Sequence, residues 1–142
     1  MSKIGVNTYV QPPMRRLSVL ALIFSACGVV AADNPKVDPR QATYEKEIKP
    51  MLEQSCINCH GKDGKKPKGG FNATTLEGLE KGGREEGKGI TWGDAEKSSL
   101  YRLAHLGATA RDEEHAMPPK KSKSDPLTTE QLAKLKAWIV AK

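Results

Sequence analysis

Cys56-Ile57-Asn58-Cys59-His60 is the part of this 142-residue chain whose residue types and spacing could do chemistry. Two thiols separated by two residues and followed at once by an imidazole form the C-x-x-C-H pattern by which a c-type haem is attached. The spacing has a chemical reason. Both thiols must reach the two vinyl groups on one edge of a porphyrin, and the next residue must swing its imidazole beneath the iron. One turn of chain meets both needs, which makes Cys56 and Cys59 the candidates for covalent attachment and His60 the candidate proximal ligand. A structural zinc would need four ligands, and no second Cys or His pair stands at ligand spacing. A thioredoxin-type dithiol would sit in a βαβ pattern, and none is visible.

An iron held by His60 has a second face. The candidate for it is Met117, in His115-Ala116-Met117-Pro118-Pro119. Proline biases the residue before it toward extended backbone, and two in succession stiffen a strap that could hold a thioether in place. Met117 lies among polar and charged residues, which is not where a core methionine belongs. His115 is the alternative, giving a bis-histidine iron of lower potential. Met51 falls on a helical apolar face and reads as core, and His105 falls off the Leu100 and Leu103 face and reads as surface.

The start of the chain sets the compartment. Arg15 and Arg16, an apolar run from Leu17 to Phe24 and the small residues Val30-Ala31-Ala32 have the layout of a secretory signal peptide, with cleavage expected after Ala32. Translation from Met14 is an alternative start, because the polar stretch before it serves no signal function. The apolar run is too short for the roughly 20 residues of a membrane-crossing helix. A competing expectation comes from Phe24-Ser25-Ala26-Cys27, which loosely resembles a lipobox and would tether the protein to a membrane through Cys27. The 23 basic and 17 acidic side chains give +6, and loss of Lys3, Arg15 and Arg16 with the leader leaves +3. Two haem propionates would bring this to roughly +1, so the long-range field is weak and implies no nucleic-acid partner. With Cys27 in the leader, only Cys56 and Cys59 remain, and a disulfide framework is excluded.

The elements that must position these groups read as helices. Residues 33–40, with Pro35 and Pro39 and no apolar periodicity, read as a flexible lead-in to a domain spanning 41–142. Tyr44, Ile48, Met51 and Leu52 recur at helical spacing, with a kink or restart expected at Pro50. The glycine- and lysine-dense stretch from Gly61 to Gly70 reads as loop. Thr74 and Glu77 read as a capping box for a short helix through Leu76 and Leu79, stopped by Gly82-Gly83. A third helix starts near Ser98, with Leu100, Leu103 and Ala104 on one face and Gly107 as its stop. In the last helix Thr128 and Gln131 form a capping box, Leu127 and Leu132 a hydrophobic staple, and Leu132, Leu135, Trp138 and Ile139 the buried side. No period-2 pattern appears, so the fold class is all-α: about four short helices and long loops. Some 110 residues so rich in glycine build only a small core, which a large buried prosthetic group would supplement.

With these motifs in hand, the chain resembles a class I cytochrome c, and more closely the compact cytochrome c domains of Planctomycetes and Verrucomicrobia. The matching pieces are Ile48-Lys49-Pro50-Met51-Leu52, Cys56 to Gly61, Gly69-Gly70-Phe71, Lys81-Gly82-Gly83, Gly93 to Leu100, Met117-Pro118-Pro119 and Trp138-Ile139. The resemblance implies one covalent haem c on Cys56 and Cys59, proximal His60, distal Met117, and first and last helices crossing near the haem. Thr91-Trp92 departs from the pattern, where such domains often carry proline, and leaves Trp92 either to pack on the haem or to anchor its loop.

The function expected is that of a single-haem electron carrier in the periplasm, exchanging Fe(III) and Fe(II) with redox partner proteins rather than catalysing a reaction. The rivals are a haem subunit of a periplasmic oxidoreductase and a small-molecule sensor or enzyme whose iron is not bound by Met117. Lys62, Lys65, Lys66 and Lys68 follow one ligand and Lys120, Lys121 and Lys123 the other, where they could guide an acidic partner.

Overall fold

A computed structural model describes residues 38–64 and 66–141. The expected signal peptide, the lipobox-like Cys27 and most of the lead-in lie outside the described residues. Among those described there is no strand, so the fold is all-α.

The first helical rod is continuous but not uniform. It runs through α1 (Pro39–Thr43), a π-helical turn (Tyr44–Ile48) and α2 (Lys49–Ser55). It starts before residue 41, which corrects the expected lead-in. Asp38 caps α1 by accepting the Arg40 N–H at 2.8 Å, and Pro39 occupies the first turn, where its missing N–H is harmless. Pro39, which reads as a loop marker, is here part of a start signal. At Pro50 the expected restart occurs: the Lys49 N–H reaches back to the Tyr44 carbonyl, the ladder widens by one residue, and α2 begins with Pro50 in its first turn.

Three further rods follow: α3 (Leu76–Lys81), α4 (Ser99–Thr109) and α5 (Thr129–Val140). The N-cap of α3 is Thr75 rather than Thr74. Thr75 accepts the Gly78 N–H at 3.1 Å, whereas Thr74 is already spent on Asn72, to whose Oδ1 its N–H and hydroxyl donate at 3.0 and 2.7 Å. Gly82 ends α3 at φ 79°, pressed so closely on Gly87 and Gly89 backbone that no Cβ would fit. Gly107 does not stop α4. It lies inside the helix, buried, for a reason that belongs to the site below. The capping box of α5 is present as expected, with Thr128 N–H to Gln131 Oε1 at 2.8 Å and Gln131 N–H to Thr128 Oγ1 at 3.2 Å.

The first rod meets α5 through aromatic rings. Tyr44 stacks on Trp138 with centroids 6.3 Å apart, Trp92 meets Trp138 edge-on at 5.0 Å, and the Arg40 guanidinium lies 4.4 Å over Trp92. Tyr44, Ile48, Leu52, Leu79, Leu135 and Ile139 are fully buried around this contact. The Tyr44 hydroxyl is satisfied by donating to the Ala73 carbonyl at 3.1 Å, and burial pushes its pKa up to about 12.

Candidate haem-binding site

The C-x-x-C-H segment leaves α2 as a tight turn. Cys56 N–H donates to Leu52 O at 2.8 Å, and Cys59 and His60 N–H both donate to Cys56 O, at 3.2 and 3.0 Å. Two thiols and an imidazole are thereby gathered on one turn. Both cysteines are free and half-buried. Burial, with Cys59 adding to it, pushes the Cys56 thiol up to about 12. A redox dithiol needs the opposite shift, so the thioredoxin-like alternative lacks its electrostatics here.

His60 is held from behind. Its Nδ1 is 3.0 Å from the Lys68 carbonyl, which can only accept, so Nδ1 carries the proton and Nε2 keeps its lone pair. The Lys68 N–H in turn donates to Cys59 O at 3.0 Å, and the Ala73 N–H to His60 O at 2.8 Å. The loop therefore closes on the turn at both ends. Phe71 meets the imidazole edge-on at 5.2 Å. Burial holds His60 below its ordinary pKa against the raising effect of the backbone hydrogen bonds, which favours the neutral, ligating imidazole. A ring N–H tied to a backbone carbonyl is the usual outer support of a histidine ligand.

The Met117 strap rests on α4. Met117 N–H donates to Leu103 O at 2.9 Å, and the Met117 carbonyl presses on Gly107, where a Cβ would overlap it. Between strap and turn lies an apolar cleft of about 140 Å³, lined by Cys56, His60, Phe71, Leu100, Leu103, Ala104, Met117, Pro118 and Leu127, among others. Cys56, His60 and Met117 thus share one cleft, while Cys59 lies on the same turn without lining it. His115 lines it too, at φ 70°, with its Nδ1 bound 2.9 Å from Glu86 Oε1. His105 is exposed and Met51 is core, both as expected. Among the described residues no three His, Cys, Asp or Glu side chains gather as a metal cluster, so the donors of a structural zinc are not assembled there. The Cys56 thiol, a back-bonded imidazole and a thioether around an apolar cleft, with the Cys59 thiol on the same turn as the first, do fit a haem.

Residues 56–121 match the family model described as Planctomycete cytochrome C. This stretch is a cytochrome c domain of that family. No curated protein and no solved structure matches the chain. The matched stretch of the cytochrome domain holds the turn, the Lys68 loop, α3, α4 and the strap; the first rod and α5 flank it and share its core.

Several parts of the cytochrome site were not read from the sequence. Gly107 looks like a helix stop because glycine often is one, and only the approach of the strap reveals its use. Leu127 was expected as a staple residue and serves also as cleft wall. The Lys68 carbonyl is a backbone group, and its one signal is the Gly69-Gly70 pair, with φ of 63° and 74°. Trp92 anchors its loop: its Nε1 donates to Glu80 at 2.8 Å, and it is not among the lining residues of the cleft.

Proposed function

We propose that this cytochrome is a single-haem electron carrier working outside the cytoplasm, with Cys56 and Cys59 bonded to haem c, His60 as proximal ligand and Met117 as distal ligand. The observation that supports this most is that Cys56, His60 and Met117, far apart in sequence, line one apolar cleft. Haem c, when bound, supplies an Fe(III)/Fe(II) couple. The chain's own residues then have distinct tasks. His60 presents Nε2 because Nδ1 is committed to Lys68 O. Met117 offers a soft sulfur donor, which favours the ferrous state relative to a second imidazole. Leu100, Leu103, Phe71 and Leu127 give the cleft its apolar lining.

Two ligands would leave no open coordination site, which separates a carrier from a sensor or an enzyme. Partner proteins are proposed to be acidic. Lys62, Lys66, Lys68, Lys120, Lys121 and Lys123 are exposed beside the two ligand-bearing segments, and among them Lys120 is paired with Asp112 at 2.6 Å. No helix among the described residues is long and apolar enough to cross a membrane.

The test is the optical spectrum of protein matured in a periplasm, with denaturing mass analysis. One haem mass retained after denaturation and no spectral change under carbon monoxide are expected. A haem lost on denaturation, or rapid carbon monoxide binding, would overturn the carrier assignment.

A further inference from the structure

Arg111, just beyond α4, donates only to backbone carbonyls of the strap. Its Nε reaches Pro118 O at 3.3 Å, and its Nη2 reaches Pro119 O and Ser122 O at 3.3 Å each and Ser124 O at 2.8 Å. Among the described residues it makes no ion pair. The arrangement answers a local shortage: Pro118 and Pro119 have no N–H, so this stretch presents acceptors with few donors of its own. A planar guanidinium supplies several donors in one fixed fork, which a lysine ammonium cannot reproduce. The acceptors begin one residue after Met117, whose own N–H is already fixed to α4 at Leu103 O. Met117 is therefore pinned on both sides, by α4 before it and by Arg111 after it.

We propose that Arg111 is a positioning residue for Met117: by gathering the carbonyls of Pro118, Pro119, Ser122 and Ser124 on one guanidinium, it holds the strap closed and sets how readily the distal ligand releases. This rests on the assignment of Met117 as distal ligand. Loss of the fork frees the strap at one end only, so the thioether still reaches the cleft but leaves it more often.

The experiment compares haem-loaded wild type, Arg111→Lys, Met117→Ala and the double variant, reading cyanide-binding rate, reduction potential and the weak red charge-transfer band of ferric His/Met haem. Covalent haem content and helix content serve as folding controls. Arg111→Lys is expected to keep both, to bind cyanide about tenfold faster, equivalent to about 1.4 kcal/mol on strap closure, and to lower the potential. The acceleration should vanish in the Met117→Ala background. A wild-type rate and potential in Arg111→Lys, while Met117→Ala alters both, would overturn the positioning role alone. An equal acceleration in the Met117→Ala background would do the same. Wild-type behaviour of Met117→Ala would overturn the ligand assignment, and the proposal with it. Should the Arg111 variant not accumulate, proton exchange of the Arg111 Nε–H in wild-type protein decides: slow exchange is expected, and free exchange contradicts a closed fork.

Discussion

The imidazole Nδ1 of His60 stands 3.0 Å from the carbonyl oxygen of Lys68, eight residues further along the chain. That carbonyl is aimed by a turn through Gly69 and Gly70, both at positive φ. Gly70→Ala would force an alanine to φ 74° and set its Cβ about 3.2 Å from Arg84 Cγ. The expected cost is about 1 kcal/mol, a fall of roughly 4–8 °C in Tm for a domain of this size. The His60 Nδ1–H should also exchange faster in the variant. Unchanged melting and exchange would show that the turn does not support the histidine.

Gly107→Ala tests the seat of the strap, and its sign is diagnostic. Glycine to alanine inside a helix ordinarily stabilises by about 1 kcal/mol. Here the new Cβ would overlap the Met117 carbonyl, and overpacking of that kind costs roughly 1–3 kcal/mol. Chemical denaturation should therefore show a net loss, accompanied by a lower potential. A more stable variant would mean that the strap yields without consequence.

Leu135 is fully buried on α5, whereas Val140 is 40% exposed at the end of the same helix. Leu135→Ala is expected to cost about 2–5 kcal/mol and Val140→Ala within about 0.5 kcal/mol. Equal effects in urea titrations would place the core elsewhere.

Electron-transfer rates with an acidic acceptor should fall as salt rises, because exposed lysines attract such a partner only within a screening length of about 10 Å at 0.1 M. The Asp112 pairing with Lys120 moderates the effect. A salt-independent rate would remove these lysines from partner recognition.

What the sequence disclosed and what it withheld divide along a physical line. Side-chain patterns with a local cause were legible: Cys56 to His60 by spacing, the α5 capping box by offset, and Tyr44, Ile48 and Leu52 by period. Features made by one segment meeting another were not. Gly107 sits mid-helix because the strap lands on it. Arg111 serves carbonyls as many as 13 residues away. No window of sequence contains both partners of such contacts in recognisable form.

Met117→Ala, read by redox titration alongside the ferric spectrum, bears most directly on the central claim. The thioether bonds proposed for Cys56 and Cys59 are independent of the strap, so the haem should remain attached in the variant. Removing the sulfur ligand withdraws its preference for the ferrous state and opens a position to water or to His115, which lines the same cleft. The prediction is a covalent haem with a lowered potential, a lost red charge-transfer band and faster cyanide binding. An unchanged potential and spectrum would contradict the account, leaving Met117 a wall of the cleft and nothing more.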